Sequence, residues 1–284
     1  MKNITALALL LLMSVSALAE VSPSEKKALL KLYKATNGTG WKTKWNIKSP
    51  VASWYGVQVK DDKVIAINLS DNNLTGELPK QIGNLIHLQE LNLFRNSISG
   101  KIPATIGNLK SLKLLNIAFN KLSGTIPETI GAASSLQSVE LFMNKIGGQL
   151  PSEIGKLSAL KTLSLFNNEL VGEIPHSLYN MKSLKILLLN SNKLEGKLSA
   201  DISNLSSLET LGLFENNLEG QVPFDLEKLK KLKEMNISYN KFNGLVSRNL
   251  AQLDMMNMTM INDQGVAATL KVEINKNSAL AEDE

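Results

Sequence analysis

The sequence predicts an α/β solenoid, in which short coils stack side by side and their strands form one parallel sheet. The first observation is an asparagine that recurs every 24 residues, without insertion or deletion, at Asn72, Asn96, Asn120, Asn144, Asn168, Asn192, Asn216 and Asn240. The second is the pattern before each asparagine, where inward apolar residues such as Leu91 and Leu93 alternate with others at the period of a strand. A constant repeat of this kind indicates one supersecondary unit stacked on itself, with one short strand expected in each coil.

Eight complete repeats are predicted over residues 64–255, and position one of each begins the phrase Leu-x-x-Leu-x-Leu-x-x-Asn-x-Leu-x-Gly-x-Ile-Pro. We number the coils one to eight in chain order. The asparagine at position nine is expected to point inward, because an amide both donates and accepts hydrogen bonds and so satisfies buried backbone groups of the adjacent coil. The glycine at position 13, as at Gly100 and Gly124, is expected to permit a sharp bend with a close backbone approach.

An N-terminal cap is predicted over residues 20–63. It begins with a helix, because Ser22 precedes Pro23 and an acid follows at Glu25, an arrangement typical of a helix start. The chain's three tryptophans all lie in this segment, at Trp41, Trp45 and Trp54. We interpret them as apolar core that covers the open end of the first coil, with an aromatic binding site as the alternative.

Residues 256–284 are predicted to hold a degenerate ninth coil, a C-terminal cap and a tail, because Gln264 and Ala268 replace the asparagine and glycine of the repeat. A covering strand is expected within residues 266–274, and disorder from Lys276 onward. Residues 255–260 include four methionines, which we interpret as pliable core filler. A copper site is the alternative, because thioether sulfur suits Cu(I).

Residues 1–19 are predicted to be a signal peptide that is cleaved after Ala19. Lys2 supplies a positive start, residues 7–15 are nearly all apolar, and Ala17 and Ala19 form a small-x-small cleavage site. The apolar run is too short to favour a membrane span, which leaves an uncleaved anchor as the minor alternative. The mature protein is therefore expected in the periplasm or secreted, with no membrane span after cleavage.

Composition argues against several classes of function. Removal of residues 1–19 takes away one lysine, so 30 basic and 26 acidic residues remain and the net charge falls from +5 to +4. That mild, dispersed excess is not the clustered stripe of a nucleic-acid-binding protein, and the absence of cysteine excludes disulfide bonds. The two histidines, His87 and His176, lie several coils apart, so we predict no catalytic triad, metal site or cofactor. A non-enzymatic monomer is expected.

The repeat phrase resembles the plant-type class of leucine-rich repeats, as in Leu-x-Gly-x-Ile-Pro followed by Ile-Gly-Asn-Leu at residues 82–85 and 106–109. Residues 54–57 read Trp-Tyr-Gly-Val, similar to the Trp-x-Gly-Val signature of the family's N-terminal cap. The resemblance covers nearly all of residues 22–255. It implies a right-handed superhelix with a parallel sheet on the concave face, short or 3-10 helices on the convex side, and partner binding on the concave face without shared catalytic residues.

The family includes ectodomains of plant receptor-like kinases, polygalacturonase-inhibiting proteins and exported bacterial proteins. Plant members flank the cap signature with two cysteines, whereas Ala52 and Val59 occupy those places here. The resemblance therefore implies a cap held by packing alone and favours an exported bacterial relative of the receptor ectodomains. A receptor role of the plant kind is not expected, since the sequence shows neither a kinase domain nor a second membrane segment.

Positions three, five, seven and eight of each repeat are predicted to point outward from the sheet, and we name this surface the strand face. It carries Phe94, Leu114, Phe119, Phe142, Met143, Phe166, Ile186, Leu188, Phe214 and Tyr239, with Arg95 beside them. Neighbouring coils lie ~4.8 Å apart, so Phe142 and Phe166 are expected to touch. Five of the chain's seven phenylalanines are expected to point at solvent on this face.

An exposed apolar patch of this extent predicts an interaction surface. The favoured hypothesis is a protein partner that docks across coils two to seven. The alternative is a glycan- or ice-binding module that uses the phenylalanines and the asparagine column at Asn68, Asn92 and Asn116. Two other interpretations remain open: a repeat that tolerates phenylalanine as cover for its neighbours, and a purely structural envelope protein.

Overall fold

A computed structural model describes residues 20–254, 256, 258–261 and 264–272. The predicted signal peptide, the end of the predicted covering strand and the tail from Lys276 lie outside these residues. Within them the repeats form stacked coils of constant register. Leu91, for example, pairs with Ile67 on one side and with Leu115 on the other. The leucine and isoleucine side chains of the successive coils form one continuous core.

The main sheet contains nine strands within the described part of the chain. Its first two strands, Val57–Lys60 and Lys63–Asn68, form an antiparallel hairpin, and the others continue in parallel. The parallel strands are Glu90–Asn92, Leu114–Asn116, Ser138–Glu140, Thr162–Ser164, Ile186–Leu188, Thr210–Gly212 and Glu234–Asn236. This sheet creates the strand face, because the residue at position four is buried in the core and positions three and five lie on the other side.

A second sheet corrects the expectation of one strand per coil. Each coil contributes another parallel strand just after its asparagine. The described strands are Thr75–Glu77, Ser97–Gly100, Lys121–Gly124, Lys145–Gln149, Glu169–Gly172, Lys193–Lys197, Asn217–Gln221 and Lys241–Asn243. The predicted bend is confirmed, because Gly100 has a φ of +74°. The close backbone approach expected at Gly100 is wrong, because the atoms nearest a Cβ there belong to the Glu77 side chain, with Cδ at 2.7 Å. The strand itself escaped prediction because its polar, glycine-containing sequence lacks a strand pattern.

The back of most coils is a 3-10 helix that follows proline. The described helices of the repeats are Lys80–Asn84, Ala104–Asn108, Glu128–Ala132, Ser152–Lys156, His176–Asn180, Ala200–Asn204 and Phe224–Lys228, with an α-helix at Arg248–Leu253 in coil eight. Proline restricts the backbone where each turn starts, as Pro103 does with a φ of −67°. Ser199 and Ser247 replace proline in two coils, and their hydroxyls accept backbone N–H groups of the helices that follow them.

Asparagines at position nine close the interior, as predicted. The amide nitrogen of Asn144 donates to the carbonyl oxygens of Leu141 at 2.9 Å and Ile117 at 3.0 Å. Its amide oxygen accepts the backbone N–H of Leu122 at 2.9 Å. Ile117 and Leu122 belong to the preceding coil, so each asparagine joins two coils. The same three-way bonding recurs from coil two to coil eight.

The N-terminal cap begins as predicted. Its α-helix spans Pro23–Ala35, and Ser22 Oγ accepts the backbone N–H of Glu25 at 3.2 Å. Two short 3-10 helices follow, Gly38–Gly40 and Val51–Ser53. The three tryptophans are each more than nine-tenths buried, and their indole N–H groups donate to backbone carbonyls of the cap. Their burial confirms the interpretation as core and contradicts the aromatic-site alternative.

A buried aspartate closes the last coil. Asp254 is 5% exposed, and its carboxylate accepts the backbone N–H of Ile237 at 2.7 Å and the hydroxyl of Ser238 at 3.0 Å. It also accepts the backbone N–H groups of Met256 at 2.9 Å and Met258 at 3.0 Å. The carboxylate thus supplies acceptors where a ninth coil would otherwise have provided them.

The predicted covering strand is shorter than expected. Ala267–Thr269 pairs antiparallel with Thr259–Ile261, and Lys271–Val272 pairs in parallel with Leu245–Val246. Leu270 separates the two pieces and is buried in the core. The segment therefore forms two short strands that pair with different partners. The prediction of one continuous covering strand is wrong for the part of residues 266–274 that the structure describes.

Candidate functional site

The strand face carries a contiguous group of phenylalanine rings on coils two to five. The rings of Phe142 and Phe166 stack, with centroids 4.5 Å apart and planes 10° apart, which confirms the predicted contact. Phe94 meets Phe119 edge-on, with ring centroids 5.4 Å apart. The ring centroid of Phe142 lies 6.3 Å from that of Phe94 and 5.7 Å from that of Phe119. Offset and edge-on pairs at such distances attract one another through the ring quadrupoles. We name these four residues the ring cluster.

The rings are less exposed than the sequence suggested. Phe119 is 41% exposed, whereas the other four phenylalanines of the strand face are half-buried. All five rings lie on the strand face as expected, but four of them are only partly exposed to solvent. The reason is that rings at position seven lie against their neighbours, as the Phe142–Phe166 stack does, and do not stand away from the sheet. One side of each ring covers a neighbour, and the remaining surface is open on the strand face.

Position eight has an unusual backbone conformation throughout the repeats. In the described coils all eight residues there have positive φ, between +49° at Asp71 and +59° at Tyr239. A side chain in this left-handed region costs roughly 1–2 kcal/mol, and aspartate and asparagine tolerate it best. Asp71 and Asn167 are of that kind, but Phe119 and Met143 place bulky side chains there beside the ring cluster. This conformation was not predicted from the sequence. Because it is unfavourable for bulky side chains, Phe119 and Met143 lower the stability of the fold.

The aromatic surface is interrupted at coil six. Asn190 occupies position seven there, and its amide oxygen accepts the backbone N–H of Phe214 at 3.0 Å. The Asn190 side chain can reach across to the neighbouring strand because Gly212 on that strand has no side chain. A Cβ at Gly212 would lie 2.5 Å from the Asn190 amide oxygen. Beyond the interruption Phe214 and Tyr239 form a separate pair with centroids 5.1 Å apart. The predicted ladder is therefore two groups, the ring cluster and this pair.

The remaining residues predicted for the surface lie on the same face. Leu114, Ile186 and Leu188 are half-buried at positions three and five, and Met143 is half-buried at position eight. Arg95 is exposed, with its Nε 4.0 Å from the carboxylate of Asp71. The structure thus brings the predicted residues onto one surface. Their role in binding stays a prediction.

The strand face is acidic although the whole chain is basic. Its four outward columns hold five carboxylates, and the single cation there is Arg95. The carboxylates belong to Asp71, Glu90, Glu140, Glu215 and Glu234. Asp71 lies 2.9 Å from the Lys42 ammonium, and the hydrogen bond from Lys42 holds the pKa of Asp71 below its usual value. The other four acids leave an excess of negative charge, which favours a cationic partner.

Glu140 lies in the middle of this face and was not singled out from the sequence. Its carboxylate accepts the Ser138 hydroxyl at 2.8 Å and the Asn116 amide N–H at 2.7 Å. Neither donor carries a charge, and no lysine or arginine of the described residues forms an ion pair with it. The sequence did contain a feature that distinguishes Glu140, because it is the one charged residue in the column at position five.

The asparagine column considered for sugar or ice is short and partly engaged. The amide oxygens of Asn68, Asn92 and Asn116 each accept the backbone N–H two residues later, at 3.2, 3.1 and 3.1 Å. Asn116 also donates to Glu140, which takes the next place in the column. Three coils at the spacing of parallel strands cover only ~10 Å. The column is thus a small part of the strand face.

One edge of the strand face carries a shared carboxylate. Glu209, at position two of coil seven, lies 2.9 Å from Lys185 Nζ and 2.8 Å from Lys233 Nζ. Hydrogen bonds from Lys233 and then Lys185 lower the pKa of Glu209 to about 2. The two ion pairs join coils six, seven and eight along this edge and reduce the positive charge beside the face.

Sites of other kinds find little support in the described residues. They contain no group of three or more histidine, cysteine or acidic side chains placed to hold a metal ion. His176 lies on the back of the coils, with Nδ1 3.5 Å from Asp201. Met258 and Met260 are buried in the core, as the filler interpretation predicts, whereas Met256 is 40% exposed and does not fill the core. Among the described residues, none of the helices is long and apolar enough to cross a bilayer.

Two family models match the chain. The model described as a leucine-rich repeat region matches residues 141–267. The model of the single leucine-rich repeat matches residues 63–85, 87–109 and 111–133. Together the matched segments include most of the eight predicted coils.

Several solved structures resemble the chain. The ectodomain of the Arabidopsis thaliana receptor kinase GASSHO1/SCHENGEN3, in complex with CASPARIAN STRIP INTEGRITY FACTOR 2, is 40% identical with a TM-score of 0.61, over 62% of this chain and 21% of that one. The plant peptide hormone receptor RGFR1, in complex with RGF2, is 32% identical with a TM-score of 0.64, over 73% and 32% of the two chains. A plant ice-binding protein is 26% identical with a TM-score of 0.68, over 89% and 88%. The chain therefore spans less than half of each receptor chain and most of the ice-binding protein.

Proposed function

The chain belongs to the plant-type leucine-rich repeat family, and we propose that it is a non-enzymatic recognition protein that binds an extended peptide segment of a protein partner across the strand face. The ring cluster carries this proposal. Its four phenylalanine rings contact one another on the open side of the main sheet. Apolar patches on otherwise polar surfaces are typical of interaction sites, and aromatic anchors supply most of the binding energy in such sites.

Three further features support the proposal. Bulky side chains at position eight, such as Phe119 and Met143, occupy a left-handed backbone conformation that a purely structural role would assign to asparagine. The geometry suits a peptide, because a segment that crosses the strands meets a new coil every ~4.8 Å while rising ~3.3 Å per residue. RGFR1, which this chain resembles, is a peptide hormone receptor and was solved with RGF2 bound.

The proposal includes the setting in which binding takes place. Export by the signal peptide at residues 1–19 places the protein outside the cytoplasm, in the periplasm or the medium of a bacterium. It acts there as a monomer, with the strand face as the concave surface that the family resemblance implies. The apolar run and the small-x-small site of residues 1–19 support export, and the repeat pattern supports the concave strand face.

Selection of ligands from a random peptide library tests the proposal. The library is displayed on phage and selected against the immobilised chain, and the enriched peptides are then measured on the double variant Phe142→Ser/Phe166→Ser. This variant removes the stacked pair at the centre of the ring cluster. We expect affinity to fall at least ~10-fold, because anchor residues in an interface dominate its binding energy.

Phe224→Ser provides the matched control. Phe224 is 44% exposed, and it begins the 3-10 helix Phe224–Lys228 on the back of coil seven. Its substitution removes a phenylalanine ring that is more exposed than Phe142 and Phe166 and lies away from the strand face, so peptide affinity should stay unchanged. Thermal unfolding shows whether each variant is folded. Enriched peptides that bind the double variant and the wild type equally would contradict the proposal, as would a library that yields no enrichment on the wild type.

Ice binding is the second candidate, and one observation favours it. The plant ice-binding protein matches this chain over nearly the whole length of both. Ice presents a regular lattice, however, and the strand face changes residue type from coil to coil, with an asparagine column of only ~10 Å. An ice recrystallisation assay separates the candidates. Inhibition by the wild type that persists in Phe142→Ser/Phe166→Ser would favour an ice-binding surface elsewhere on the coils.

A further inference from the structure

Position seven of each repeat carries a main-chain N–H group that is reached from the strand face. In coils one, two, three and eight the asparagine at position five accepts this N–H through its amide oxygen, as Asn92 does for Phe94 at 3.1 Å. In coil seven Gly212 stands at position five, and Asn190 of the neighbouring coil accepts the N–H of Phe214 instead. All five acceptors are side chains of the strand face, so these N–H groups point towards that face.

Coils four, five and six lack such an acceptor. Their position-seven N–H groups form no hydrogen bond within the described part of the chain, and we name them the N–H row: Phe142, Phe166 and Asn190. None of these three coils has asparagine at position five. Glu140, which occupies that position in coil four, directs its carboxylate to Ser138 and Asn116. Three consecutive donors of the strand face are therefore left for an acceptor outside the chain.

The N–H row coincides with the stacked rings of the ring cluster. Two of its members are Phe142 and Phe166, whose rings stack with centroids 4.5 Å apart. All three residues of the row are half-buried. A partner that covers the rings also removes water from the N–H groups of the same residues. A main-chain donor that loses water without gaining an acceptor costs free energy, so the partner has to supply acceptors as well as apolar surface.

The dimensions of the row suit a short piece of peptide main chain. Neighbouring coils lie ~4.8 Å apart, so the three donors extend over ~10 Å. An extended peptide rises ~3.3 Å per residue, and its carbonyl groups alternate between two sides. About four residues cover the row and direct two carbonyl oxygens towards it. A carboxylate of the partner would suit the row less well, because Glu140 on the same coil as Phe142 would repel it.

We propose that the N–H row is the main-chain binding site of the strand face and donates hydrogen bonds to carbonyl oxygens of the partner peptide. The rings provide apolar contact that tolerates sliding, whereas the directed N–H groups fix the position of the peptide along the coils. This inference rests on the proposed function and deepens it by naming the groups that hold the peptide main chain.

Amide hydrogen exchange, followed by NMR with a peptide from the library selection, reads the N–H row directly. In the free protein we expect the three amides of the row to exchange faster than those of Phe94 and Phe214, which have acceptors within the chain. Saturating peptide should slow at least two amides of the row by ~10-fold or more. Bound peptide that leaves all three rates unchanged would overturn the inference.

A double variant tests whether hydrogen bonds, and not mere cover, hold the peptide. Glu140→Asn/Leu188→Asn places the asparagine of the other coils at position five of coils four and six, where it can accept the N–H groups of Phe142 and Asn190. With two of three donors occupied, a peptide that uses two loses at least one. We expect affinity to fall about 5-fold more than in the matched control, the effect of one hydrogen bond.

The matched control is Glu90→Asn/Ile186→Asn. It makes the same exchange of one acid and one apolar residue for asparagine on the strand face. Both residues are half-buried at position three, four residues from position seven, so the new amides do not reach the N–H groups. Thermal unfolding shows whether each variant is folded. Equal affinity of the two double variants for the peptide would overturn the N–H site.

The outcomes separate this inference from the function on which it rests. Peptides that lose affinity for Phe142→Ser/Phe166→Ser but bind the two asparagine variants equally would overturn the N–H site and leave peptide binding across the rings intact. Peptides that bind Phe142→Ser/Phe166→Ser as tightly as the wild type and leave the exchange of the N–H row unchanged would overturn both proposals.

Discussion

Met143 and Asn144 are consecutive residues that belong to two contrasting regions, the strand face and the interior. Asn144 points inward and forms hydrogen bonds with four backbone groups on two coils. Met143 points outward from a left-handed backbone with a φ of +53°. Position nine is asparagine in every coil, whereas position eight changes at each step. The comparison teaches that constant positions hold the coils together, so any specific recognition must come from the variable ones.

Substitution of Asn144 by leucine should have the largest effect on stability. The change leaves the N–H of Leu122 without its acceptor. It also removes one of two amide donors from the carbonyls of Ile117 and Leu141, which keep Asn120 and Asn168 as partners. We expect a loss of about 1–3 kcal/mol in the free energy of unfolding, since a buried N–H group is then unsatisfied. Urea unfolding measures it. Asn92→Leu on the strand face is the control and should cost less; equal stability of Asn144→Leu and the wild type would show that the interior does not depend on the asparagines.

The contrast also explains how much could be predicted from the sequence. The interior was predictable because each inward residue has one role that recurs at a fixed spacing, as Asn144, Gly100 and Leu91 illustrate. The contact between Phe142 and Phe166 was predictable for the same reason, since strand spacing alone brings equivalent positions together. The repeat pattern therefore carried both the core and the register.

The details of the face could not be predicted, because they depend on side chains that differ between neighbouring coils. The crossing of Asn190 over Gly212 requires a particular pair on adjacent strands. The burial of Ser164 depends on the larger residues around it, and the bonds that orient Glu140 come from two different strands. None of these arrangements recurs, so periodicity gives no information about them.

Substitution of Met143 by asparagine should have a smaller effect of the opposite sign. Asparagine tolerates the left-handed conformation better than methionine, so we expect a gain on the order of 0.5 kcal/mol in the free energy of unfolding, after allowance for lost packing. Peptide binding should weaken at the same time, because the side chain lies beside the ring cluster. Urea unfolding and peptide titration measure the two effects. A loss of stability as large as that of Asn144→Leu would remove the distinction between the two regions.

Glu209→Gln tests the edge of the face, where we expect the smallest effect. A glutamate titrates near ~4.3 in an unfolded chain, whereas the pKa of Glu209 in the folded protein is about 2. Its ion pairs therefore stabilise the fold fully above ~4.3, and this contribution is lost as the pH falls through about 2. Because the pair is exposed, the wild type should melt only slightly above the variant at neutral pH.

Melting curves across acidic pH check this expectation. The small difference in Tm between wild type and Glu209→Gln should shrink as the pH falls below ~4.3 and vanish near about 2. A difference that grows with acidity would show that the charge of Glu209 opposes folding, and the ion pairs at the edge would then have no stabilising role.

Hydroxyl-radical footprinting of the complex with a selected peptide tests most directly whether the strand face is the binding surface. The account predicts that the bound peptide lowers the oxidation of Phe119, Met143 and Phe166, while Phe224 on the back of the coils reacts as it does in the free protein. Protection of Phe224 without any change at Met143 and the ring cluster would contradict it.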